Sequence, residues 1–254
     1  MVRGMRVYRC EDSLESIFTA IYRSYEENRD AEDTCLALDD NPLLFGEDVY
    51  VQPDSARAVK VMRTLERRFG EENYLTVCTA LAATDKEKAQ AVYRTVAKGL
   101  DERCARGHLF DNLADEYVMK TFSLARAAGR EIDHFREFLR FQELENGVLY
   151  AKIGPKNNVL TFLMRHFADR LPIENFVIYD STRNLFGIHP VKRQWYLLSG
   201  EEAAEPALRF SEEEEQYQEL FRCFCRTISI KERENLRLQQ SMLPLRFREY
   251  MIEF

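Results

Sequence analysis

The hydrophobic period of this chain changes at Glu145-Asn146-Gly147, and that change limits the folds open to it. From Ser55 to Arg140 apolar residues recur every three or four positions, as on one side of a helix. Beyond Gly147 they come in short runs of strand formers separated by turn residues. The junction reads HFREFLRFQELENGVLYAKIGPKNNVL, residues 134 to 160, where a helix ends, the chain turns and a strand leaves.

Spacing upstream predicts helices near 56 to 69, 71 to 82 and 86 to 101. The stretch NLADEYVMKTFSLARAAGREIDHFREFLRF reads as a helix bent or broken near Gly129, since an interior glycine costs about 1 kcal/mol relative to alanine. Downstream, GVLYAKI reads as a strand, NNVLTFLMRHFADRL as a helix, NFVIYD and NLFGIHP as a hairpin around Ser181-Thr182-Arg183, and QWYLL as a last short strand. The chain opens with a strand, MRVYRC, and a helix, EDSLESIFTAIYRSYEE, that Asp12 or Ser13 can cap. Between Asp30 and Pro53, acids, proline and glycine predict a loop with one short strand at Val49 to Gln52.

Short strands need partners. The expected architecture is therefore α+β and mostly helical. A small, predominantly antiparallel sheet is formed by the N-terminal strand and the strands of residues 148–198, and helices cover it. On that reading residues 1–198 are one domain with a helical block inserted at about 55–140, and residues 199–254 are a helical extension packed on the same core. Glu212 to Glu215 sit where a helix would start, which its dipole favours, and Pro244 stops and restarts the helical pattern.

With 254 residues, 45% of them hydrophobic, the chain can bury roughly three quarters of its unfolded surface without staples. Its 36 basic and 43 acidic residues leave a net charge of -7, which repels polyanions in bulk, so any nucleic-acid contact must be local. Six scattered cysteines without a CxxC pair, and a start without an apolar signal core, predict a reduced cytoplasmic protein. Its longest uncharged stretch, Asn73 to Thr84, is shorter than the roughly 20 apolar residues of a membrane span.

Catalytic signatures are missing. There is no Walker A loop, GxGxxG, GxSxG or HExxH, and no cofactor is expected. Cys104 and His108, with Asp111 beyond, fall short of the three or four ligands a zinc site takes. Cys223 and Cys225 would point about 200° apart on a helix, which argues against joint ligation and for packing of at least one in a core. Asp180 fits an Asx turn better than a catalytic acid.

One region interleaves cations and aromatics. Asp133, Arg136, Glu137 and Arg140 share a helix face, with Ile132, Phe135 and Leu139 opposite and His134, Phe138 and Phe141 between. A solvated ladder of ion pairs is the simplest account of that face, each pair contributing about 0.2 to 0.5 kcal/mol. His166 and Arg170 lie at i, i+4 on another helix; Lys152, Lys156 and Arg183 complete the set. Such a surface suits stacked bases and phosphates, and suits equally the rim of a helix-covered sheet.

Four stretches together resemble the DUF4130 family: MRVYRCEDSLESIFTAIYRSYEE, HFREFLRFQELENGVLYAKIGPKNNVL, HFADRLPIENFVIYDSTRNLFGIHP and NLRLQQSMLPLRFREYM. Where the family has a His-Arg pair this chain has His134-Phe135, followed by Arg136, and Phe176 stands for a usual tryptophan. The resemblance implies a DNA metabolism protein encoded beside a radical-SAM protein of DNA repair or modification.

Three expectations follow. In the first, an accessory protein docks that radical-SAM partner and contacts nucleic acid, DNA or RNA, through His134, Arg136, Arg140, Lys152, His166, Arg170 and Arg183. In the second, a nucleic-acid-processing enzyme uses His134 or His166 with Asp180 or Glu143. In the third, an interaction module binds its partner through the aromatic C-terminus, Phe247, Tyr250 and Phe254.

Overall fold

The computed structural model describes residues 5–38, 46–101, 108–200, 209–230 and 233–251. The chain is α+β with more helix than strand, and it divides into two compact units, Met1–Gly129 and Arg130–Phe254.

In the first unit, β1 (Arg6–Arg9) leads into α1 (Leu14–Glu26), whose start is capped by Ser13, its hydroxyl accepting the Ser16 N–H. Strands β2 (Thr34–Ala37) and β3 (Glu47–Tyr50) flank β1, both parallel to it. Helices α2 (Ser55–Phe69), α3 (Glu71–Ala82) and α4 (Lys88–Leu100) follow within a residue or two of their expected bounds. The core gathers Tyr8, Ile17, Phe18, Ile21, Leu65 and Tyr93, all buried.

This topology corrects the expected sheet. The N-terminal strand does not join the later strands, because its two edges are already taken by β2 and β3. β2 falls in the stretch where the sequence predicts a loop: its four residues, TCLA, are too few for periodicity to show, and pairing with β1 is what makes them a strand. Of the bent or broken helix expected near Gly129, the broken form is not met. Helix α5 (Glu116–Phe138) is continuous, with Gly129 a tolerated interior glycine.

The second unit carries a mixed sheet of β4 (Gln142–Glu143), β5 (Leu149–Ile153), β6 (Phe176–Asp180), β7 (Leu185–His189) and β8 (Tyr196–Ser199), in that order. β5 and β6 run parallel, joined through α6 (Leu160–Arg170), and the other neighbours are antiparallel. The turn into β5 uses Gly147 at φ 76°, where its N–H donates to the Leu144 carbonyl.

Alternation along the strands gives the sheet two faces. Ile153, Phe176 and Ile178 pack with Ile132 and Phe135 of α5 and with Leu160, Leu163, Met164 and Phe167 of α6. Tyr150, Tyr179 and Phe186 form a separate cluster on the other face. Beyond the sheet come α7 (Glu212–Ile228), α8 (Leu236–Met242) and α9 (Leu245–Arg248). Ser211 caps α7, and Glu212 to Glu215 occupy its first turn, as expected from the dipole. α7 buries none of its residues, so the expected packing of Cys223 or Cys225 in a core is not met: Cys223 is exposed and Cys225 half-buried.

Candidate nucleic-acid interface

The GPKNN segment between β5 and α6 is held from two sides. Glu131, at 2% exposure on α5, accepts the backbone N–H groups of Lys156 (3.0 Å) and Asn157 (2.8 Å) and the Asn157 side-chain amide (2.7 Å). Arg246 of α9 adds an ion pair to the same carboxylate at 3.2 Å. From the other side, Arg183 donates to the carbonyls of Pro155 (3.2 Å) and Lys156 (2.7 Å). The Ser181 hydroxyl donates to the Ile153 carbonyl, and the Tyr250 hydroxyl occupies the space that a side chain at Gly154 would need.

A loop whose amides and carbonyls are engaged by a buried carboxylate and a guanidinium is pre-organised, and it presents Lys156 and Asn158 to solvent. It lies beyond the carboxyl ends of the parallel pair, the place where open sheets with parallel strands bind ligands.

Asp180, fully buried, ends β6. It accepts the Thr182 and Arg183 N–H groups at 2.9 and 3.2 Å, the Asx turn expected of it, and pairs with the Arg183 guanidinium at 3.2 Å. Burial pushes its carboxyl above the ordinary range, while Arg183 and the two amides pull the other way. Asp180 and Arg183 therefore build the turn and the loop.

The expected surface residues fall into three places. The charges of Arg136 and Arg170 both act on His166: half-burial lowers the imidazole's pKa first, and the two guanidinium charges lower it further against a weaker opposing effect of Asp169. Arg136 also pairs with Asp133 at 3.3 Å, and Arg140 follows α5 two residues past its end. His134 belongs to the packing instead. Its Nδ1 lies 2.6 Å from the Arg130 carbonyl and its ring stacks on Phe247 at 5.1 Å. Lys152 projects from the opposite face of the sheet, its Nζ 5.8 Å from the centre of the Tyr179 ring.

Among the described residues, no hydrogen bond or ion pair joins His134 or His166 to Asp180 or Glu143; the Glu143 N–H donates to Glu214 at 3.1 Å. Of the aromatic C-terminus, Phe247 is 3% exposed and sits edge-on to Phe135 in the core, Tyr250 is half-buried beside Gly154, and Phe254 lies outside the described residues. His108 pairs with Asp111 on the surface, Cys104 lies outside the described residues, and among the described residues no three potential metal ligands gather. No helix among them is long and apolar enough to cross a membrane.

Sequence reasoning did not find Glu131, whose only local sign is a carboxylate beside the apolar residues of a helix. Its role depends on loop amides supplied about 25 residues later.

A family model, described as a domain of unknown function (DUF4130), matches residues 86–253. The chain belongs to the DUF4130 family. That match spans almost all of the second unit, so the clamped loop and the cation cluster both lie within the DUF4130 region, while β1 to α3 precede it. Comparison with curated proteins gives no match.

Proposed function

We propose that this DUF4130 protein is an accessory factor of DNA repair or modification that contacts nucleic-acid phosphates locally and works with a radical-SAM partner. The observation that carries the reading is that the charges of Arg136 and Arg170 both bear on half-buried His166, Arg170 lying one turn along the same helix, with Arg140 two residues beyond the end of α5. Like charges brought together repel, and a polyanion relieves that repulsion. Because the whole chain carries -7, contact is confined to such a patch and weakens steeply with salt. The rigid loop carrying Lys156 supplies a further cation from a fixed backbone.

A protein partner is supported by α7. Tyr217, Leu220, Phe224 and Ile228 lie along one side of that helix and are 54% to 67% exposed, the kind of apolar stripe that marks a protein contact. Charge reversal at Arg136, Arg140 and Arg170 is expected to abolish duplex binding while leaving a co-purified partner in place; Leu220→Glu with Phe224→Glu is expected to do the reverse. If both sets of variants retained both activities in a folded protein, the reading would be wrong.

A further inference from the structure

The first unit holds an apolar pocket of about 200 Å³ between α1, α2 and α4, lined by Ile21, Tyr22, Val61, Leu65 and Val96 with Lys60 and Thr64 at its edge. We propose that this pocket binds a small carboxylate with an apolar body, the chain or ring seated among the helices and the carboxylate at Lys60. This inference concerns the first unit and is independent of the nucleic-acid reading of the second.

Size sets the first limit. An apolar cavity of roughly 150 Å³ accepts one benzene, whereas drug-sized ligands fill roughly 300 to 1,000 Å³. The pocket therefore suits a single ring or a short chain. Its lining is almost wholly hydrocarbon, so the body of the ligand must be apolar.

Charge sets the second. Lys60 is the only formally charged residue in the lining, and no carboxylate lines the pocket. Its ammonium lies 5.3 Å from the centre of the Tyr22 ring, and Arg57 lies 5.5 Å from the same ring. The two cations differ in what balances them. Arg57 pairs with Glu26 and Asp54, each at 3.4 Å, whereas among the described residues no carboxylate stands within ion-pair distance of Lys60. An anionic head placed at the mouth would meet that ammonium and no opposing charge from the walls. A cationic head would be repelled there, and a neutral head would gain little.

The test is titration of the full-length protein with sodium octanoate, octanamide and octylamine, followed by two-dimensional NMR of the methyl groups of Ile21, Val61, Leu65 and Val96. Octanoate is expected to shift those methyls and to bind about threefold to fivefold more tightly than octanamide, the ratio that one exposed ion pair supplies. Lys60→Glu, at an exposed position, is expected to remove that preference while leaving the octanamide shifts. Thr64→Trp, which fills the mouth, is expected to remove both. The proposal is overturned if octanoate leaves these methyls unmoved at millimolar concentration, if octylamine binds as well as octanoate, or if the preference survives in Lys60→Glu. It is overturned equally if the shifts persist in a folded Thr64→Trp protein, since the ligand would then sit elsewhere.

Discussion

Glu131 holds Asn157 twice: one carboxylate oxygen of the helix residue accepts both the backbone N–H, at 2.8 Å, and the side-chain amide, at 2.7 Å, of the loop residue. With the Lys156 N–H on the other oxygen, three loop donors depend on a single buried acid. Glu131→Ala would strand them away from water. We expect a loss of about 3 kcal/mol in urea unfolding, with Glu131→Gln losing less because its amide oxygen still accepts. Equal stability of wild type and Glu131→Ala would show that the loop is held by other contacts.

Burial and the neighbouring guanidinium charges act on His166 in the same direction. Its folded pKa lies below the ordinary value of 6.5, through burial first and then Arg136 and Arg170. A proton therefore binds the unfolded state better, and the contribution of His166 to stability rises with pH through the window just below 6.5. NMR titration should find its pKa moving up toward 6.5 in Arg136→Gln and in Arg170→Gln, and up again in the wild type when duplex DNA is added. An unmoved titration would separate the histidine from both cations.

Glu27 makes the first unit sensitive to acid. Partial burial raises its carboxyl, but hydrogen bonds from Tyr8, Arg23 and Arg6 outweigh that and hold it below its ordinary 4.5. The resulting stability is present above 4.5 and is lost as pH falls through the depressed value. Tyr8→Phe removes a 2.8 Å hydrogen bond to this carboxylate and is expected to cost about 1 to 2 kcal/mol at neutral pH. The cost should shrink in acid, where the carboxylate is protonated in both proteins; thermal melts across pH would show it.

The cysteines should react in the order of their exposure. Burial pushes the Cys10 thiol up to about 12 and the Cys78 thiol to about 11, the latter partly offset by a hydrogen bond with Tyr74. Thiolate is the reactive form. Iodoacetamide is expected to modify exposed Cys223 first, with Cys10 and Cys78 protected until the chain unfolds; mass spectrometry of the alkylated peptides reads this directly.

The helices were legible because each repeats its period several times, as Leu160, Leu163, Met164 and Phe167 declare α6, and the strands after Gly147 because runs of strand formers lie between turn residues, as the Asp180 turn declares the hairpin. The central position of β1 was not, because parallel pairing depends on residues about 28 and 41 positions away. Lys152 belongs with Arg136 and His166 by composition alone, whereas alternation along GVLYAKI puts it on the Tyr150 face. Arg170 and His166 are visible as i, i+4 neighbours; the effect of Arg136 on His166 is tertiary and leaves no local mark. Phe247 reads as a partner-binding aromatic because nothing near it in sequence reveals that His134 and Phe135 pack on it.

The measurement that reaches the central claim most directly is the affinity for a short DNA duplex as a function of salt, for the wild type and for the protein with Arg136, Arg140 and Arg170 all changed to Gln. Each phosphate contact steepens the logarithmic salt dependence by about one unit. The account predicts a salt-dependent affinity in the wild type and a slope shallower by about two to three in the variant. An identical slope in a folded variant, or no duplex binding by the wild type at low salt, would contradict it.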